Sequence, residues 1–340
     1  MAEAQAVAAQ GGIPYFRINA SGPDASATGG SAIAIGTSAE STVGDSLAIG
    51  SGAKARGDHN NVAIGTQATA ESFYTIALGR DAKSTGGNST AIGAGSTASG
   101  LDSITLGPAS VSSGVRTIAM GTKAVASAEE AVALGRLASA AGLQGVAVGR
   151  GSVANSAGAV AVGPNASASS LGGVAVGRTA IVSGLGGVAV GEDASAVGAE
   201  SLSIGWKSRA IDLWAVTVGP SAQATQTGGV ALGNDAQATG SYGVALGCNA
   251  RASASNSVAL GAGSVCEREL AVSVGTGNVR RQIVNVAEAT QAGDAVPLVQ
   301  LDQYVKALKT IIAARESEIR NLEKRVTALE NKPTLSPFME

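Results

Sequence analysis

The chain has 340 residues, 48 of them glycine, with 14% charged and 3% aromatic residues and a formal net charge of −2. Gly, Ala and Ser at that level, with so few charges and rings, exclude an ordinary mixed globular domain. The near-neutral balance excludes a general attraction to nucleic acid or to an anionic membrane, and no apolar run reaches the ~18 residues that a membrane-spanning helix needs.

The first twelve residues, MAEAQAVAAQGG, lack the basic and apolar regions of a signal peptide and read as a disordered leader or an engineered N-terminus, 1–12. From residue 13 to 265 one pattern dominates. Glycines recur at 36, 50, 65, 79, 93 and on to 275 in steps of fourteen, with one step of fifteen between Gly50 and Gly65. A short fixed period whose unit cannot bury a core alone is the signature of a solenoid.

Before each repeat glycine stand two bulky apolar residues with Ala, Ser or Thr between them, as in Val146-Ala147-Val148-Gly149, except that Thr90 takes the first place in one copy. That alternation has the strand period. The third and fifth residues after the glycine are mostly Ala or Ser, which predicts a second, thinner strand. Each repeat therefore spells strand, glycine turn, strand and loop, and the stack is a flattened β-roll. The aliphatic face is expected to form the core between rungs, and the Ala columns to form a packing surface for a neighbouring roll. Two aliphatic side chains offer too little apolar area to order fourteen residues, so an obligate oligomer is expected.

Chemistry-bearing residues are few. His59 is the one histidine and falls in the irregular repeat, which leaves no metal cluster and no Ser-His-acid relay. No enzyme and no cofactor are expected. Cys248 and Cys266 fall at different positions of adjacent repeats, too far apart along the strand for a disulfide, and Cys266 reads as a small buried side chain. An ice-binding lattice would need a Thr-x-Thr column, and none exists.

Three surface features remain as candidate ligand-binding sites. Eight residues after the glycine come Leu143, Leu171, Leu185 and Leu213, together with Leu101, Val115 and Phe73, as a column that is either a subunit interface or an exposed adhesive ridge. Directly after the glycine come Arg136, Arg150 and Arg178, with Arg80, as a weak basic band that is either ordinary solvated surface or a site for sulfated glycans. Trp206 and Trp214 share one repeat and are candidate anchors.

The stretch 266–300 breaks the rhythm. From 301 to 332 a heptad follows, with Val305, Ile312, Ile319 and Val326 at a, and Leu301, Leu308, Leu322 and Leu329 at d; Arg315 interrupts the d positions. Arg325 and Glu330 are placed to bridge between helices. Pro333 and Pro337 end the helix in a final linker, 333–340.

The repeats NSTAIG at 88–93 and NSVALG at 256–261 resemble the head of the YadA-like trimeric autotransporter adhesins, RQIVNVAEATQAGDAV resembles their neck, and YFRINASG at 15–22 their usual lead-in. The resemblance implies an all-β solenoid, a left-handed parallel β-roll in a homotrimer, then a neck and a parallel trimeric coiled coil. It also implies attachment to host extracellular matrix (collagen-, fibronectin- or laminin-like) or to a host receptor, autoagglutination, and display on the bacterial cell surface through a membrane barrel that this chain does not contain. Collagen recognition is attributed to NSVAIG-type repeats, of which Asn60, Asn88 and Asn256 retain the leading Asn. The neck departs from the pattern at Ala289, where glycine is expected, and at Pro297, where a donor-bearing residue is expected. A trimeric phage tail fibre or another structural β-rod is the alternative.

Overall fold

The structure is a computed structural model that describes residues 22–331. The leader, most of the 15–22 lead-in and the two terminal prolines lie outside the described residues. Two compact units divide at Arg280 and Arg281.

The first unit is a parallel β-solenoid. Each repeat contributes a three-residue strand such as Val146–Val148 and a two-residue strand such as Val153–Ala154. Every strand pairs with its counterpart in the next repeat, Val146 with Val160 and Ala147 with Ala161, so the register is the sequence period itself. Long strands form one parallel sheet and short strands another, eighteen in each among the described residues. The ladder runs on past residue 265: Val272–Ser273 still pairs with Val258 and Ala259.

The repeat glycine closes the turn between the two strands. Gly149 takes a φ of +130°, and a Cβ there would lie 2.6 Å from the carbonyl of Gly163 one rung on. Torsion and close approach both demand glycine.

The side-chain orientation is the reverse of the sequence expectation. Ala147 is fully buried, while Val146 and Val148 on either side of it are only half-buried and face outward. The same holds along the stack: the small middle residue points in and the aliphatic pair points out. The physical reason is the thinness of the roll. A turn of a few residues holds the two strands so close that the space between them admits little beyond Ala, Ser or Thr, and the largest fully buried side chains are Val182 and Asn61. Val182 has room because glycines flank it, with a Cβ on Gly173 or Gly187 falling 3.0 or 3.1 Å from its Cγ1.

Four columns fill the interior: the middle of the long strand, the third and fifth residues after the glycine, and the tenth. Alanine clusters occupy stretches around 39–82, 119–196 and 210–259, and hydroxyl-rich rungs separate them. There some hydroxyls bond one another, Ser84 with Ser89 at 2.6 Å and Ser203 with Ser208 at 2.8 Å, while the buried Oγ atoms of Ser103 and Ser201 have no hydrogen-bond partner. Cys266 is buried and Cys248 exposed, and both are free thiols.

The second unit begins as irregular chain. Asp294 accepts hydrogen bonds from the backbone N–H groups of Thr290 and Gln291, both at 2.9 Å, which holds its carboxyl below the ordinary range. Helix α1, Leu298–Glu330, follows, with Pro297 as its N-cap. The missing N–H costs nothing there, because the first N–H groups of a helix have no acceptor within it, and the Pro297 carbonyl still accepts from Gln300 at 3.1 Å and Leu301 at 3.2 Å. Ala289 has no left-handed torsion, so it needs no glycine. The heptad residues, Ile312 and Leu322 among them, lie exposed along α1 with nothing in their own chain to cover them.

Candidate recognition surfaces

Each repeat presents two edges. The glycine turn forms one, and the loop that returns the chain to the next long strand forms the other. The candidate residues divide between them: Arg136, Arg150, Arg178 and Trp206 follow the glycine on the turn edge, while Leu143, Leu171, Leu185, Leu213 and Trp214 lie on the loop edge. Trp206 and Trp214 therefore belong to one rung but to opposite edges.

On the loop edge Leu143, Leu171 and Leu185 are 47%, 57% and 52% exposed within the single chain, and Leu213 is half-buried. Beside this column runs a line of left-handed residues, one per rung, at the ninth position after the glycine, or the tenth in the fifteen-residue repeat. Asn60, Asn88 and Asn256 occupy it with φ of 63°, 55° and 53°. Asparagine tolerates this torsion better than most residues, so local geometry alone accounts for the leading Asn of the NSTAIG and NSVALG repeats. Larger residues pay for the same position, including Trp214 at φ 58° and Tyr242 at φ 53°.

Equivalent positions on successive rungs lie close enough to bond. Asn88 donates to Asp102 at 2.9 Å, and Trp214 donates from Nε1 to Glu200 at 3.0 Å. Glu130 accepts from Gln144 at 2.8 Å and from Arg116, whose Nη2 lies 2.8 Å away. These partners hold the Glu130 carboxyl below its ordinary range, Gln144 foremost. Asp212 is shifted the same way, first by the Leu213 N–H that it accepts at 2.7 Å and then by the Thr227 hydroxyl. That bond fixes the loop bearing Leu213 and Trp214.

The basic band on the turn edge is partly neutralised. Arg178 pairs with Glu192 of the next rung, and Arg80 reaches Asp81 at 3.7 Å. Arg136 and Arg150, on adjacent rungs, are exposed and have no ion pair among the described residues. The Nζ of Lys207 stands 4.4 Å from the centroid of Trp206, a cation–π contact at the surface.

The third surface is the outward face of the long strands. Its paired apolar columns, two residues on every rung but the one where Thr90 replaces the first, extend along the solenoid. An apolar surface of that extent marks an interface. The alanine columns, expected from the sequence to face a neighbouring roll, are interior, and the apolar pair takes the outward place instead. The clue lay in four small-residue columns per repeat, which together specify one narrow interior. Among the described residues no helix is long and apolar enough to cross a membrane.

The chain matches the family of the YadA head domain repeat (2 copies) over residues 44–59, 62–180 in overlapping pairs of repeats, 183–208, 218–236 and 238–264. Among solved structures it is similar to the collagen-binding domain of the Yersinia adhesin YadA, with 27% identity, 57% of this chain and 85% of that chain covered, and a TM-score of 0.31. No curated protein matches the chain.

Proposed function

The chain belongs to the YadA head domain repeat family, and from that premise we propose that it is the head, neck and upper stalk of a homotrimeric adhesin on the bacterial cell surface, built to attach to host extracellular matrix or a host receptor. The observation that carries this reading is the in-register repetition of the surface. The same turn and loop positions recur on every rung, so one weak contact can be made many times along each chain. Avidity of that kind needs neither a deep pocket nor a catalytic group.

The outward aliphatic face supports the trimer, because each roll then covers the apolar columns of its neighbours. Heptad residues along α1 support a parallel coiled coil that follows the head in sequence. Collagen-, fibronectin- and laminin-like proteins are the candidate matrix ligands, and Arg136 and Arg150 are the candidates for sulfated glycans.

The test is binding of the purified full chain to surfaces coated singly with matrix proteins and sulfated glycans. Saturable attachment to at least one supports the reading. Attachment to none, by a protein that is correctly folded by circular dichroism, contradicts the matrix and glycan part of it and leaves only a host receptor.

A further inference from the structure

The fifteen-residue step places its extra residue in one loop, 56–61, with the sequence Arg-Gly-Asp-His-Asn-Asn. Lys54 still pairs with Thr69 before it and Leu47 with Val62 after it, so the ladder is undisturbed on both sides.

The loop is held from inside. Asn61 is fully buried and donates from Nδ2 to the Arg56 carbonyl at 2.5 Å and to the Asp58 carbonyl at 2.9 Å. Its Oδ1 accepts from the Thr75 N–H at 3.0 Å and from the Thr75 hydroxyl at 2.8 Å. A single side-chain amide thus pins the backbone on both sides of Gly57. Gly57 takes a φ of +97°, and a Cβ there would meet the Glu71 carbonyl oxygen at 2.6 Å. The Arg56 N–H donates to Ala70 at 2.8 Å, and the Asn60 N–H to Gly44 at 3.1 Å.

This turn presents two opposite charges. Asp58 is exposed, and its carboxylate has no hydrogen-bond or ion-pair partner among the described residues. The Arg56 guanidinium pairs with Glu40 on the preceding rung in a solvent-screened contact, which a more acidic partner can displace. A free carboxylate on a fixed turn is a ready oxygen ligand for a hard divalent cation with an open position. A guanidinium two residues away suits a carboxylate-lined groove. Little ordering cost remains at binding, since the backbone is already set.

We infer that Arg56, Gly57 and Asp58 form a receptor-binding loop, and that the receptor is a cell-surface protein presenting a bound divalent cation to Asp58 and an acidic groove to Arg56, the chemistry by which integrins take an Arg-Gly-Asp turn. This rests on the adhesin reading above and names one partner class for it.

The test uses the full chain immobilised on a surface and, as probe, a purified integrin ectodomain that recognises Arg-Gly-Asp, in Mn²⁺ and in EDTA. Asp58→Glu keeps the charge and breaks no contact, but it moves the carboxylate outward on a pinned backbone. Expected are binding in Mn²⁺, loss in EDTA, competition by a soluble Arg-Gly-Asp peptide, and weakening by Asp58→Glu of at least about tenfold. No binding by the parent chain, or binding indifferent to EDTA or to Asp58→Glu, overturns the inference. A parallel arm on matrix-coated surfaces separates the two readings. Attachment there with a blank integrin arm removes this loop and leaves the adhesin standing, while blanks in both arms remove both.

Discussion

The side-chain amide of Gln300 closes on both backbone groups of Ala289, accepting from its N–H at 2.8 Å and donating to its carbonyl at 3.0 Å. Gln300 is the one buried residue of α1. It supplies a strand-like pair of bonds to an irregular segment that has no strand beside it. The contact ties residue 289 to the first turn of the helix.

Gln300→Leu keeps the size and removes both bonds; Ala289 is half-buried, so water replaces part of them and the loss stays below the about 1–3 kcal/mol that a fully buried unpaired group costs. The Ala289 amide should exchange hydrogen at least about tenfold faster, while helical circular dichroism stays unchanged. Unaltered exchange at Ala289 would show that the pairing does not hold this segment.

Asp294 gives the same segment a pH dependence. Its folded pKa is depressed, first by the Thr290 N–H and then by that of Gln291. Its contribution is therefore complete above the ordinary aspartate pKa, near ~3.9, and fades as pH falls through the lower folded value. Order at residues 290–294, read by NMR, should persist at pH 5 and decline on acidification. Asp294→Asn should show the acid-side pattern already at pH 7. Identical spectra for the parent and Asp294→Asn at pH 7 would contradict this role.

The interior and the outward face answer differently to substitution. Ala147→Leu forces a large side chain into the narrow interior, where overpacking costs about 1–3 kcal/mol or more, so the melting temperature should drop sharply. Val148→Leu, one residue on in an outward column that already holds Leu134 on the preceding rung, should leave melting within a few degrees of the parent. Equal effects would contradict the assigned orientation.

The leucine column is tested by replacing Leu143, Leu171 and Leu185 together with Ser. As an exposed ridge, the column should lose surface attachment while melting stays unchanged. As interface, the triple variant should lower melting first, since about 1.5–3 kcal/mol is forfeited for each fully buried leucine. Unchanged melting and unchanged attachment would remove the column from consideration.

The period, the two strands per repeat and their parallel stacking were legible from glycine spacing and strand alternation, because both are local. Orientation was not. Val146-Ala147-Val148 reads equally well with either face inward, and the decision rests on the separation of two sheets, a property of the turn at Gly149 and of the other three small columns rather than of the strand. The edges were partly legible: the Leu and Arg columns follow from the period, but their placement on opposite edges depends on which turn each occupies. The loop at 56–61 was marked by the fifteen-residue step, and its rigidity was hidden because Asn61 turns inward at a position that elsewhere holds Ala, Gly, Ser or Thr.

The central claim is that the outward aliphatic face and the α1 heptads are covered by two further copies of this chain. Sedimentation equilibrium of the purified protein at micromolar concentration measures this directly. The account predicts a single species at three times the 32.9 kDa chain mass, and a monomer or a stable dimer would contradict it.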